Sequence, residues 1–118
     1  PSTLDAAALC KMADRGQIKG GVVDGPLAFD LAVSPESVAT KGLKSPVAGD
    51  ADILIVPAIE AGNMLAKQLD YLAGASAAGI VLGASVPIIV TSRADSAEER
   101  LASCAFASAV AHWQRDQP

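Results

Sequence analysis

Four consecutive apolar residues, Ile53-Leu54-Ile55-Val56, closed by Pro57, constrain the fold more than any other stretch of this chain. A strand with one solvated face alternates apolar and polar side chains, so an unbroken apolar run of this length predicts a strand covered on both faces. Such a strand sits inside a sheet with helices on either side. Aromatic residues make up only 3% of the chain although 51% of it is apolar, so the core has to be built from Ala, Val, Leu and Ile. Small aliphatic side chains of that kind let helices pack closely on a sheet.

The flanking sequence supplies those helices. Ser2 or Thr3 can cap a first helix from about Leu4 to Arg15, with Leu4, Ala8 and Met12 on one face and Gly16 at its end. Gly20-Gly21-Val22-Val23 reads as a short buried strand, and Asp24-Gly25-Pro26 as a turn. The state of Leu27 to Val33 stays open between a strand and a short helical turn. Ser34-Pro35 predicts the start of a short helix, with Ser34 as cap and Pro35 in the first helical position, ending near Lys41-Gly42. After the central run, Glu60 to Tyr71 forms a helix with Ala61, Leu65, Leu69 and Leu72 as its stripe and Gly74 as its stop. Two further apolar runs, Gly79 to Leu82 and Pro87 to Val90, are separated by Gly83-Ala84-Ser85. That spacing is short for a helical crossover and predicts antiparallel neighbours. The last helix runs from about Ala97 to His112. Alternating strands and helices predict an α/β layered fold with a mixed sheet.

With 118 residues the chain fits one small domain. A formal net charge of −4, without a basic patch or an aromatic ladder, speaks against nucleic-acid binding. The apolar runs are too short to span a bilayer, and the first residues carry no signal-peptide pattern, so the reading is of a cytoplasmic protein. Cys10 and Cys104 have no CxxC spacing and are expected to be small buried residues rather than metal or redox centres. The single His112, next to Trp113, reads as a packed or surface residue rather than a catalyst.

Chemistry concentrates in Thr91-Ser92-Arg93-Ala94-Asp95-Ser96-Ala97-Glu98-Glu99, which joins a predicted strand to the last helix. In an open α/β sheet, ligands bind beyond the carboxyl ends of strands. A helix that starts there points free N–H groups and the positive end of its dipole at the same space. Arg93 can hold an anion through a bidentate fork, and Ser92 can donate or accept a hydrogen bond. Plain alternatives exist: loop solvation for Ser92, and a surface guanidinium paired with Asp95 for Arg93. Ser96-Ala97-Glu98-Glu99 also fits the capping-box form S-x-x-E. Glu99 is therefore either a cap or a proton acceptor. Lys44-Ser45 can meet an anion or be a solvated loop; Asn63 can bond a ligand or a neighbouring backbone; Asp24 and Asp30 flank the Gly-Pro turn and can simply stabilise it.

Four blocks occur in order: Asp24-Gly25-Pro26-Leu27-Ala28-Phe29-Asp30, Lys44-Ser45-Pro46-Val47-Ala48-Gly49-Asp50-Ala51-Asp52, Pro57-Ala58-Ile59-Glu60-Ala61-Gly62-Asn63 and Ser92-Arg93-Ala94-Asp95-Ser96. In this order and spacing the chain, from about Gly20 to Ala109, resembles the phosphate acetyltransferase/butyryltransferase family. The wording of the third and fourth blocks looks closer to the butyryltransferase and bifunctional enoyl-CoA hydratase–phosphate acetyltransferase branch. The resemblance implies a three-layer α/β/α fold with a mixed sheet, similar to isocitrate and isopropylmalate dehydrogenases and present here in part. It implies transfer of an acyl group between coenzyme A and inorganic phosphate, with coenzyme A as a substrate and no metal or redox cofactor. It also implies a cleft between two domains and a homodimer in the full enzyme. By the match, Ser92 orients the thiol or thioester, Arg93 holds the phosphate, and Glu99 falls where some members carry an Asp proposed as the base. Asp30, Lys44, Ser45 and Asn63 lie in the matching blocks as candidate substrate-binding residues. Residues 1–118 then correspond to the C-terminal portion of such an enzyme as one α/β unit, the helix from about 97 belonging to its other domain. The family's N-terminal half has no counterpart in the match, so the chain alone is expected to have little or no activity. The alternative is a non-catalytic interaction or dimerisation module that keeps the scaffold.

Overall fold

The computed structural model describes residues 1–115 and divides the chain into two compact units, Pro1–Ile59 and Glu60–Pro118. In the first, α1 (Ser2–Asp14), α2 (Phe29–Val33) and α3 (Pro35–Lys41) are joined by irregular segments; α4 (Ile59–Ala73) begins at the boundary. In the second, β1 (Ile80–Val81) and β2 (Ile88–Ile89) form an antiparallel pair followed by α5 (Ala97–Arg115).

The first unit is organised around α2 and α3. Leu27 to Val33, open by pattern, resolves into the single helical turn of α2. Ser34 caps α3 as expected: its hydroxyl accepts from Ser37 N–H at 3.2 Å, Pro35 takes the first helical position, and Gly42 ends the helix with a left-handed backbone. The polar segment after it folds back beneath α2, with Gly49 N–H donating to Leu31 C=O at 2.8 Å and Ala51 N–H to Ala32 C=O at 3.1 Å. This buries Ala32 and Gly49. Gly49 is required there twice over: its φ is +87°, and a Cβ on it would sit 3.0 Å from Pro35 Cα.

The first helix departs from expectation. It starts at Ser2 behind Pro1, with no side-chain cap, whereas its end is as expected: α1 stops at Asp14, Arg15 is the C-cap, and Gly16 follows with a φ of +70°. Leu4, Ala8 and Met12 are exposed; the half-buried stripe is Ala6, Cys10 and Ala13. The register is set by the Gly25 turn, whose carbonyl accepts from Cys10 Sγ at 3.4 Å. Cys10 is thus half-buried rather than buried, and Cys104 is exposed.

In the second unit the antiparallel expectation holds: Ile80 pairs with Ile89 and Val81 with Ile88, and Val90 N–H adds a 2.9 Å bond to Gly79 C=O. The two backbones come so close at Gly79 that a Cβ there would lie 2.6 Å from Val90 O. Helix α5 packs against both strands. Ser103, only 2% exposed, fastens it: its hydroxyl accepts from Gly79 N–H at 3.1 Å and donates to Glu99 C=O at 2.9 Å. Gly74 stops α4 with a φ of +67°, and Ala75 N–H closes on Leu69 C=O at 3.0 Å.

The mixed sheet and the three α/β/α layers do not form among the described residues, whose sheet has two strands. Ile53 to Val56 is in no ladder, with Ile53 77% and Ile55 82% exposed, and Gly20 to Val23 is likewise unpaired with Val22 exposed. A strand exists only where a second backbone takes up its N–H and C=O groups, and no described segment does so for these two. The chain exposes 8992 Å² in all, whereas two separate units of half its mass would expose about 7,200 Å² by the usual scaling. Much of the apolar content therefore faces outward, including Ile59, Leu72, Leu82, Leu101 and Trp113. No helix among the described residues is long and apolar enough to cross a membrane.

Candidate active site

The segment between β2 and α5 is a closed hydrogen-bonded circuit. The Asp95 carboxylate accepts from Ser92 N–H, the Ser92 hydroxyl accepts from Ala94 N–H at 3.3 Å, and Ser92 C=O accepts from Asp95 N–H at 3.2 Å. Asp and Ser turn the chain this way because their short side chains reach backbone groups two or three residues off. Helix α5 then begins with both arms of the capping box: Ser96 Oγ accepts from Glu99 N–H at 3.2 Å, and Glu99 Oε2 accepts from Ser96 N–H at 2.7 Å.

These bonds sort the candidate residues. The bond from Ser96 N–H, followed by that with the Ser96 side chain, holds the Glu99 carboxyl below the usual carboxylate range. Glu99 thus acts as a cap here, and the lowered pKa works against proton acceptance. Ser92 has accepted one hydrogen bond through its hydroxyl and keeps its own proton to donate. The Arg93 guanidinium is exposed and has no hydrogen-bond or ionic partner among the described residues, so Asp95 does not pair with it. All five of its N–H donors are available beside the head of a helix of 19 residues. A free guanidinium, a hydroxyl proton and a helix N-terminus together favour a bound anion with an adjoining polar group.

The remaining candidates share no hydrogen bond or ion pair with this loop among the described residues. Asn63 is exposed on α4 in the same unit, one residue further into the helix than expected because α4 starts at Ile59 and not at Glu60. Asp30, Lys44 and Ser45 belong to the first unit. Asp30 is ion-paired with Lys41 at 2.6 Å, and that hydrogen bond lowers its pKa. Ser45 accepts from Val47 N–H at 3.1 Å and Ala48 N–H at 2.9 Å, which fixes the turn that docks under α2. Lys44 is exposed and unpaired among the described residues.

Asp95, weighed from sequence only as a partner for Arg93, and two residues missed there, Lys67 and Arg100, belong to the circuit or its field. Asp95 fixes Ser92. Lys67 of α4, raised in pKa first by its bond to Asp70 at 3.3 Å, also lies within electrostatic reach of Asp95 and Glu99. Arg100 donates to the Asp95 and Arg93 carbonyls. A signal for Arg100 was present: a cation in the first turns of a helix opposes the dipole that Glu98 and Glu99 complement. A shallow apolar hollow along α4, lined by Met64, Lys67, Gln68, Tyr71 and Leu72, includes none of the candidate residues. Among the described residues no group of three His, Cys, Asp or Glu is placed to hold a metal ion.

The sequence pattern of the family described as "Phosphate acetyl/butaryl transferase" matches residues 1–108. The chain belongs to this family. It is 64% identical over 115 residues to the phosphate acetyltransferase of Rhizobium meliloti, covering 98% of this chain and 36% of that protein. It is 55% identical over 111 residues to the phosphate butyryltransferase of Clostridium acetobutylicum, covering 94% of this chain and 37% of that protein. The crystal structure of a branched-chain phosphotransacylase from Enterococcus faecalis V583 is similar with a TM-score of 0.80 and 41% identity, over 95% of this chain and 40% of that one. The fold is thus a partial phosphotransacylase fold, mostly helical, with a small sheet. The chain spans about a third of the length of the curated relatives it matches.

Proposed function

We propose that this chain serves in a phosphate acyltransferase, where acyl-CoA and inorganic phosphate exchange an acetyl or butyryl group to give an acyl phosphate and free coenzyme A. The observation that carries the reading is the uncommitted Arg93 guanidinium beside the Ser92 hydroxyl proton at the head of α5, in a chain of this family. In the reaction a phosphate oxygen attacks the thioester carbonyl carbon. The C–O bond forms, the C–S bond breaks, and the sulfur leaves with the electron pair as a thiolate that then takes a proton. Arg93 holds the phosphate and stabilises the charge that develops on the reacting groups. Ser92 directs its proton at the sulfur or the acyl oxygen. Glu99 contributes by holding the loop, a role its two capping bonds favour over that of proton acceptor. Asp30, Lys44, Ser45 and Asn63 are proposed to serve substrate binding in the whole protein, with Asp30 and Ser45 acting through the turns they fix. A homodimer and a cytoplasmic location accompany this reading.

The test is Arg93→Ala in the full-length protein. A fall of about 10²- to 10³-fold in kcat/KM for phosphate is expected, the size of loss seen when one donor to a developing charge is removed. Unchanged turnover with an intact fold overturns the assignment. The exposed apolar residues of both units favour one other reading, a non-catalytic association module on the same scaffold. Titration with coenzyme A separates the two: saturable binding at the Ser92 loop supports the enzyme, and self-association without coenzyme A binding supports the module.

A further inference from the structure

Two peptide planes of the loop, Arg93–Ala94 and Asp95–Ser96, are held at both ends. The Ala94 N–H goes to Ser92 Oγ and the Ser96 N–H to Glu99 Oε2. The opposite ends converge on one side chain. Arg100 Nε donates to Asp95 C=O at 3.2 Å, and Arg100 Nη2 donates to Arg93 C=O at 3.4 Å. Arg100 lies in the fourth position of α5 and reaches back over the helix N-terminus, where a positive charge is electrostatically disfavoured. A residue placed against a local preference is expected at functional or strained sites, where contacts made elsewhere offset the cost. The geometry supplies one: a planar fork takes two carbonyls of one short loop at a fixed spacing, as a single ammonium cannot do with the same directionality. The peptide on the other side of Arg93 is held as well, since Ser92 C=O accepts from Asp95 N–H at 3.2 Å, so the planes on both sides of the Arg93 Cα, and with them the direction in which its side chain leaves the loop, are fixed.

We propose that Arg100 is a positioning residue for Arg93, acting through the Arg93 and Asp95 carbonyls and not by touching substrate. The proposal rests on the acyl-transfer reading of the site. Removing the clamp leaves Arg93 present but poorly aimed, and small misplacements of a positioning group cost up to about 10²-fold in rate.

The decisive experiment is a double-mutant cycle on Arg93 and Arg100 in the full-length protein. Arg100→Ala is expected to lower kcat/KM for phosphate about 10- to 100-fold, and Arg100→Lys to recover part of the loss. In an Arg93→Ala background, Arg100→Ala is expected to change the rate by less than about twofold, because the residue it positions is gone. Equal factors in the two backgrounds overturn the proposal, as does activity of Arg100→Ala within twofold of wild type. If Arg100→Ala does not fold, Arg100→Lys carries the same cycle. If the wild-type protein moves no acyl group at all, the acyl-transfer reading fails by itself. The clamp is then judged by backbone 15N order parameters from Arg93 to Asp95, expected to drop from about 0.85 to below about 0.6 in Arg100→Ala. Unchanged values overturn the positioning role independently of activity.

Discussion

Ser103→Ala tests how α5 is tied to the hairpin. Ser103 is one of the few buried residues of the second unit, and its hydroxyl is the acceptor for Gly79 N–H at 3.1 Å, across 24 residues of sequence. Its other bond, to Glu99 C=O at 2.9 Å, backs onto a carbonyl one turn earlier in its own helix. Losing that second bond costs little, since the carbonyl keeps its helical position. Losing the first leaves a backbone donor without a partner beside a packed helix. A net hydrogen bond contributes about 0.5–1.5 kcal/mol, and a stranded donor costs about 1–3 kcal/mol. Gly79 is half-buried, so water reaches it in part, and the expected loss is about 1–2 kcal/mol. For a unit of this size each kcal/mol lowers Tm by about 4–8 °C. Urea unfolding gives the free energy, and amide exchange at Gly79 localises it; both should move together. If stability stays within about 0.3 kcal/mol of wild type and Gly79 exchange is unaltered, the Ser103 tie does not hold α5 in place.

Three further outcomes follow from the geometry. Glu99→Gln keeps the capping box, because an amide oxygen still accepts from Ser96 N–H, but removes the charge. Acyl transfer near wild-type rate is therefore expected, whereas a collapse of kcat would return Glu99 to the role of base. The pH profile has a definite sign: the Glu99 pKa is lowered in the folded chain, so its stabilisation is complete above the ordinary carboxylate value and is lost as pH falls through the lower folded one. Acid unfolding below about pH 4 should accordingly be shallower in Glu99→Gln. Gly49→Ala should destabilise the first unit by more than about 1 kcal/mol in urea unfolding, because it forces a positive φ and a 3.0 Å approach to Pro35 Cα. A neutral result would mean that the turn under α2 can yield.

The site was legible in unequal parts. The block Ser92-Arg93-Ala94-Asp95-Ser96 carried the family resemblance, now matched by a family pattern over residues 1–108. The choice between cap and base at Glu99 needed coordinates, because one carboxylate three residues from Ser96 and seven from Ser92 suits either chemistry. Arg100 and Ser103 escaped notice for a related reason. Their partners are backbone carbonyls and amides, which have no residue identity to read, and in one case the partner is 24 residues away.

By itself the sequence determined most of what depends on groups within about four residues, the Ser2 or Thr3 cap of α1 being the exception. The Ser34-Pro35 cap and its Gly42 stop, the Gly74 stop of α4 and the Ser96–Glu99 box all stand as the residues predict. Their hydrogen bonds close locally, so composition and spacing suffice. Apart from the β1–β2 pair, whose short connection announced it, tertiary structure decided what needs a partner from elsewhere in the chain. Ile53 to Val56 reads as a central strand, and its apolar character is real, yet no second backbone among the described residues meets it. The inward face of α1 follows Gly25 and not the pattern of its largest apolar side chains. A helix or turn carries its own hydrogen-bond partners, whereas a strand and a buried face exist only when another segment arrives.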